Sequence, residues 1–321
     1  MMSNQYFREI QNDRSSFSMR VSPIMGEFSV TNDKMILTNR RPKLNEDRPN
    51  WENIDLVKSF DPTNDLQTTH GIHHLFDYLD KVDFFSKFWK TRDKFQETEF
   101  TFVCGRYVLT RIEKFAKGNP ENFEILALRK DDIVYIGSNR NMIAESIRTH
   151  EHKLATFAGL VFGSLLTKSR ISPNFKDTVS IVKKVRVIDH TSNSAHSIIV
   201  SSTVRAFDKN NVSPIEIHLK KESKNLRRCV DEWSLGALLA GSQKILYGTR
   251  DDQFKIKTIH MTRNLKRNHG KALKMISQML SEVSKIIENE KCVVIRPSSE
   301  QRGDLTFEKT DITYMQKSDQ W

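Results

Sequence analysis

The spacing of apolar residues along the chain predicts four helices. From Ile72 to Trp89 and from Lys271 to Glu288, apolar positions recur at the spacing of one face of an amphipathic helix. A third helix is expected from about Met142 through Leu166, and a fourth over Asn225–Leu239, where Gly241 follows as a stop signal. The chain therefore has several helices to place against a sheet.

Other segments alternate apolar and polar residues with period two, which is typical of strands. In one of them Phe100, Phe102, Cys104 and Arg106 share a face. An arginine that ends an apolar face needs an anion or a carboxylate nearby. The expected strands are Pro23–Asp33, Glu99–Leu109, Phe123–Leu128, Asp132–Gly137, Lys244–Gly248, Phe254–Met261, Val293–Ile295 and Ile312–Met315. This pattern predicts an α+β fold with mixed β-sheets flanked by helices.

The segment Ser197–Lys220 is the most informative of these regions. Two apolar-rich runs, Ile198–Phe207 and Ile215–Leu219, flank a polar connection of turn-forming residues. The segment therefore predicts a β-hairpin with a long loop.

Polar side chains are expected on one face of each strand in this hairpin. Period two places Thr203 and Arg205 together on the first strand. It places Glu216, His218 and Lys220 together on the second strand. Two neighbouring strands that present polar groups from a shared face are where a nuclease-like site would lie. From the pattern alone, a solvated charged face is equally compatible.

The charge balance favours an anionic partner. The chain has 51 Lys and Arg residues against 40 Asp and Glu, which gives a formal net charge of +11. Such a surplus favours nucleic acid or another polyanion. The three cysteines have no short spacing, so they support neither a disulfide framework nor a zinc site.

The chain is expected to act inside the cell, in the nucleus or the cytoplasm, with no membrane partner. Its amino terminus, MMSNQYFREI, has no apolar signal core. The most apolar window, Leu154–Leu166, is too short to cross a bilayer. A Gly-rich phosphate loop, HExxH, GxSxG and paired CxxC are all absent from the sequence.

Several segments, taken in order, resemble the decapping exoribonucleases of the DXO type, metal-dependent enzymes that act on RNA 5′ ends. The likeness covers roughly residues 23–260 and is carried by PIMGEFSV, FVCGRYVLTRI, GLVFGSLL, SSTVRAFD, EIHLKKES and EWSLGALLAGSQKILYGTRDD. It implies a PD-(D/E)XK-like nuclease core. The expected organisation is a flexible amino-terminal segment over residues 1–22 and a single decapping-nuclease-like domain over residues 23–321.

The resemblance also implies where the family's metal ligands would fall. In the family, carboxylates from three of these segments hold one or two divalent ions. The corresponding positions here are Gly163, Thr203, Arg205 and His218, so each of those carboxylates is replaced. Hard cations need several anionic oxygen ligands, and an arginine beside them adds repulsion. We therefore predict no metal ligand at these positions.

Two of the family's basic residues are kept, by the same resemblance, at Arg106 and Lys220. Together with Arg205 and His218, they are expected to form a cationic cleft that binds RNA phosphate without a metal ion. The predicted function is RNA 5′-end binding with metal-dependent catalysis lost, and no cofactor is expected for it.

Two alternatives stay open. The first is an active decapping nuclease with the family role, which is removal of NAD or incomplete caps and 5′–3′ RNA degradation. It would use a remodelled site with Glu216 and Lys220 as catalytic residues and Mg²⁺ or Mn²⁺ as cofactor. The second is an interaction partner of a 5′–3′ exoribonuclease, a role that some relatives have.

Overall fold

A computed structural model of the chain places two β-sheets and their flanking helices in the residues that it describes. These residues are 8–10, 16–31, 34–37, 41–45, 51–62, 73–85, 96–118, 122–138, 149–167, 178–208, 210, 212–263, 268–288, 291–299, 301 and 303–310.

The strands and helices follow one another in a mixed order. The strands are β1 (Arg8–Ile10), β2 (Phe17–Val21), β3 (Gly26–Thr31), β4 (Lys34–Leu37), β5 (Gln96–Gly105), β6 (Ile125–Lys130), β7 (Ile133–Ser138), β8 (Thr178–Asp189), β9 (Ser194–Val204), β10 (Ala206–Phe207), β11 (Pro214–Lys221), β12 (Lys244–Arg250), β13 (Ile256–Arg263), β14 (Cys292–Pro297) and β15 (Leu305–Thr310). The helices are α1 (His73–Lys81), α2 (Arg106–Ala116), α3 (His150–Thr167), α4 (Leu226–Leu239) and α5 (Gly270–Ile286).

The larger sheet has the order β1-β2-β8-β9-β5-β7-β6-β14-β15, with β3 paired to β8 and β4 to β3. Strand β5 runs parallel to both β7 and β9. Helices α2, α4 and α5 pack against one face of this sheet, and α1 packs against the other. Because β5 and β9 are parallel neighbours, the residues that follow them lie close together.

The smaller sheet has the order β10-β11-β12-β13. Helix α3 covers one of its faces through Phe157 and Phe162. Helix α4 lies on the other face, where Val230 packs with Ile245. Helix α4 therefore belongs to the packing of both sheets, and the predicted α+β fold is confirmed. None of the helices in the described residues is long and apolar enough to cross a membrane.

The hairpin predicted over residues 197–220 is largely wrong. Strand β9 pairs with β8 and β5 in the larger sheet. The chain breaks its strand at Arg205, and β10 then pairs with β11 through only Ala206 and Phe207. Most of β9 is buried on both faces of a sheet, including several of its serines. Its pattern therefore does not show which sheet it joins.

The strand predicted at Glu99–Leu109 ends at Gly105, and Arg106 begins helix α2. Val108, Leu109 and Ile112 are buried together under this helix. Arg106 therefore does not end an apolar strand face as predicted. It lies in the first turn of a helix, directly beyond the end of β5.

Other boundaries differ by smaller amounts. Helix α1 ends at Lys81, and Asp83 in the following turn has a φ of 49°. The rest of the predicted helix beyond residue 85, residues 142–148 of the predicted third helix, and the strand Ile312–Met315 lie outside the described residues. The loose order expected for residues 1–22 is contradicted at Phe17–Val21, because this segment pairs with β8. The hairpin of β6 and β7 is confirmed.

Candidate functional site

The ends of β5 and β9 meet the start of β11 and helix α4 in one cleft. Gly105 pairs with Ser201, so Arg106 emerges beside the end of β9. Its Nη2 donates to the Thr203 carbonyl at 3.2 Å, and its Nη1 donates to the Gly236 carbonyl at 3.1 Å. Nη1 also donates to the Glu216 carboxylate. Arg106 thus joins both sheets and helix α4.

Glu216 is a buried carboxylate held by two basic side chains. It lies on β11 with 9% of its side chain exposed, in a salt bridge with Arg106. Burial raises the pKa of this carboxyl, but Arg106 and His218 outweigh that effect and hold the pKa at about 2. Glu216 is therefore ionised at neutral pH, and it cancels the charge of Arg106.

His218 lies next to Glu216 on the same face of β11. Its Nε2 is 3.5 Å from the Glu216 Oε2, and 27% of its side chain is exposed. Burial lowers the pKa of His218, Glu216 opposes that effect, and Arg205 and Arg106 add to it. Because the net direction is below the ordinary 6.5, the imidazole is mostly neutral at pH 7.

Arg205 supplies an accessible positive charge at the cleft. It lies in the break between β9 and β10 and is exposed to solvent. Its Nη1 donates to the Gly159 carbonyl of α3 at 2.9 Å. A Cβ placed on Gly163 would lie 3.4 Å from both Cδ and Nη1 of Arg205. The arginine therefore fills the space that a longer side chain at position 163 would need.

Lys220 is directed into the turn after β11. Its Nζ donates to the carbonyls of Lys221, Glu222 and Lys224 at 3.4, 3.3 and 2.9 Å. The side chain is buried, and these bonds stabilise the connection between β11 and α4. Of the four predicted phosphate-binding residues, the structure brings Arg106, Arg205 and His218 to the cleft. The ammonium of Lys220 instead donates its hydrogen bonds to backbone carbonyls.

The side chains of this cleft do not fit a carboxylate-held divalent metal. Within the part of the chain that the structure describes, no group of three or more His, Cys, Asp and Glu side chains could hold a metal ion. Glu216 is already paired with Arg106, and Arg205 lies over Gly163. Mg²⁺ and Mn²⁺ prefer several oxygen ligands, and two guanidinium groups disfavour a cation at this place.

Trp233 is a residue of the cleft that sequence reasoning missed, because its place within the predicted helix over Asn225–Leu239 gave no reason to put it there. It comes from α4 and stacks on His218, with ring centroids 4.4 Å apart and an angle of 1° between the planes. The signal available in the sequence was the likeness of the chain's own segment EWSLGALL, in this part of α4, to a family segment. That match indicated no contact with His218.

Comparison with known proteins gives the same fold. The family model described as "RAI1 like PD-(D/E)XK nuclease" matches residues 22–319. The chain is similar to Scheffersomyces stipitis Rai1 in complex with (3′-NADP)⁺ and calcium, with a TM-score of 0.69 and 15% identity over 95% of this chain and 93% of that one. It is also similar to Candida albicans Rai1 in complex with pU5-Mn²⁺, with a TM-score of 0.68 and 14% identity over 97% and 95%.

A third similar structure is K. lactis Dxo1 in complex with manganese, with a TM-score of 0.64 and 12% identity over 95% of this chain and 92% of that one. No curated protein matches the sequence. At these identities, the likeness to solved structures establishes the fold and leaves the chemistry of the cleft to be argued from the chain's own residues.

Proposed function

Because the chain belongs to the RAI1-like PD-(D/E)XK nuclease family, we propose that it binds the 5′ end of RNA without a divalent metal ion and has lost metal-dependent catalysis. The domain responsible is a single decapping-nuclease-like unit that takes in residues 23–321 and strand β2 before them. The observation that carries the proposal is the position of Arg205, an exposed guanidinium that lies over Gly163 in a cleft without a free carboxylate pair among the described residues.

Phosphate recognition by Arg205 follows from its geometry. One Nη1 bond goes to the Gly159 carbonyl, which orients the planar guanidinium and leaves its other N–H groups for a ligand. A guanidinium presents paired donors that match phosphate oxygens, and it needs no metal to do so. Arg106 contributes positive potential, although Glu216 offsets it. His218 is a neutral hydrogen-bonding group at this site.

The ligand of one structural relative supports an RNA 5′ end as the target. The Candida albicans relative carries pU5 together with Mn²⁺, whereas the metal-holding chemistry is absent from the described cleft of this chain. We therefore treat RNA 5′-end binding and metal binding, which occur together in the Candida albicans relative, as separable in this chain. This chain keeps the fold and anion binding, and it does without the ions that would activate water for phosphodiester hydrolysis.

A binding measurement with short RNAs tests the proposal. A 5′-phosphorylated RNA and the same RNA with a 5′-hydroxyl are titrated into the protein in EDTA and then in Mn²⁺. We expect the phosphorylated RNA to bind more tightly, equally well in both buffers, and without cleavage. Arg205→Ala should weaken that binding and reduce the slope of log affinity against log salt by about 0.7, the loss of one phosphate contact.

Lys285→Ala is the matched control, since it removes one positive charge from the exposed end of α5, where Lys285 pairs with Glu282. It should leave RNA affinity nearly unchanged. Binding that requires Mn²⁺, or no affinity for either RNA at low salt, would overturn the proposal. An association with a 5′–3′ exoribonuclease stays a prediction, and recovery of a stoichiometric exoribonuclease with the purified protein would support it.

A further inference from the structure

A row of aromatic rings crosses the smaller sheet, starting in the cleft. His218 of β11 is opposite Tyr247 of β12, and Tyr247 is opposite His260 of β13. Directly opposite residues on neighbouring strands project from the same face of a sheet. Trp233 from α4 lies over the first two members, so this aromatic row consists of His218, Trp233, Tyr247 and His260.

The rings of the aromatic row are in contact along its whole length. The His218 and Trp233 rings are stacked at 4.4 Å. Trp233 and Tyr247 are 6.2 Å apart at an angle of 41°, and Tyr247 and His260 are 5.4 Å apart at 32°. His218 and Trp233 are partly exposed and His260 is exposed, whereas Tyr247 is buried. The row therefore offers ring surface to solvent at both ends.

Core packing accounts for only part of this arrangement. Trp233 lies against the apolar cluster of Val230, Ala237 and Ile245 between α4 and the sheet, so a large ring is expected there. His260 has no such reason to be in the row, because it lies exposed on the last strand of the sheet. Its ring is therefore exposed to a ligand at the far end of the row.

We propose that the bases of the first nucleotides of a bound RNA stack along the aromatic row, while the 5′ phosphate lies at Arg205. This inference rests on the proposed function. Neighbouring strands are about 4.8 Å apart, so the row is about 10 Å long from β11 to β13, enough for two nucleotides. Every base has a π-face, so stacking on exposed rings binds single-stranded RNA with little sequence preference.

The experiment compares a 5′-phosphorylated five-nucleotide RNA with the same RNA carrying abasic sites at its first two positions. The two RNAs have the same phosphates, so their difference in affinity isolates the bases. One stacked base contributes about 5- to 150-fold in affinity. We expect the abasic RNA to bind at least about 5-fold more weakly to the wild type. His260→Ala should reduce this difference.

Thr262→Ala is the control, since Thr262 lies two residues from His260 on the same face of β13. It should leave the difference unchanged. A second readout is tryptophan fluorescence, in which the intact RNA should quench the emission of the wild type more than that of Trp233→Phe.

Equal affinity for the intact and abasic RNAs, or an equal effect of both β13 variants, would overturn the stacking inference while leaving 5′-phosphate binding intact. If neither RNA binds at all, the proposed function fails as well. The two failures are therefore distinguishable in one set of titrations.

Discussion

Replacing Glu216 by glutamine removes the carboxylate that holds Arg106, and it should change stability and RNA binding in opposite directions. In the folded protein the pKa of Glu216 is about 2, against an ordinary 4.5. Since one unit of pKa corresponds to about 1.4 kcal/mol, the fold favours the ionised carboxylate by about 3 kcal/mol. Because the side chain is only 9% exposed, solvent screens little of this energy.

Glutamine keeps an oxygen that accepts a hydrogen bond from Arg106 but carries no charge. We therefore expect Glu216→Gln to lower the free energy of unfolding at pH 7 by on the order of 2–3 kcal/mol. The difference between wild type and variant should shrink on acidification. A lowered carboxyl pKa stabilises the fold above pH 4.5, and the effect is lost as the pH falls from 4.5 towards 2. Urea unfolding at pH 7 and pH 3 measures both values.

RNA binding should respond in the other direction. Without the carboxylate, the charge of Arg106 is no longer cancelled, so affinity for 5′-phosphorylated RNA should rise. The slope of log affinity against log salt should steepen by up to about 0.7. Glu216→Ala, which also frees Arg106, is a useful companion that separates charge from hydrogen bonding.

A catalytic role for Glu216 predicts the opposite result, because a nuclease that used this carboxylate would lose metal-dependent product release in Glu216→Gln. Tighter binding with no change in cleavage supports a role for Glu216 in cancelling the charge of Arg106. Weaker RNA binding, or loss of an Mn²⁺-dependent, chelator-sensitive activity, refutes it.

Three further predictions concern buried polar residues outside the cleft. Burial lowers the pKa of Lys183 to about 8. The free-energy cost of burying the charged ammonium is therefore present below pH 8 and disappears as the pH rises to 10.5. In urea unfolding, Lys183→Met should stabilise the protein by about 1–3 kcal/mol at pH 7 and by little at pH 10.5. Burial lowers the pKa of His196 to about 4. The free energy of unfolding should therefore fall as the pH drops from 6.5 to 4. His196→Gln should weaken this pH dependence by up to ~1.4 kcal/mol per pH unit. His269 joins Ser234 and Glu113 in a buried chain of hydrogen bonds. His269→Ala should lower the free energy of unfolding by about 2–4 kcal/mol, because both partners lose a hydrogen bond. An unchanged midpoint of chemical denaturation would contradict this role.

Much of the secondary structure could be predicted because periodicity reports burial directly. Helix α5 and the hairpin of β6 and β7 show their apolar faces clearly, and both were located to within a few residues. Helix α2 was missed because the alternation of β5 continues up to Gly105, and the helical spacing that starts at Val108 is only two turns long before it ends. A local apolar pattern does not show the residue at which the period of a strand gives way to the period of a helix.

Part of the candidate site's membership was predictable, but its contacts were not. Arg205, Glu216 and His218 do lie near one another, although the single hairpin expected to position them does not exist. The salt bridge between Arg106 and Glu216 could not be foreseen, since the two residues are far apart in sequence. Arg106 begins a helix directly after a strand of the larger sheet, and Glu216 lies on a strand of the smaller one. The hydrogen bonds of Lys220 were equally unpredictable. Period two predicts which face of a strand a residue is on, but it does not predict where the end of a long side chain lies.

The closeness of Arg205 to Gly163 has a consequence for placing a carboxylate at position 163. A glutamate introduced at position 163 alone would meet the guanidinium at van der Waals distance or closer, and it would form an ion pair there before it could bind an ion. Removing Arg205 first would leave an open space above helix α3 and no new ligand. Positions 163 and 205 are therefore coupled: a carboxylate at 163 is available to an ion only in a protein that also lacks the guanidinium at 205.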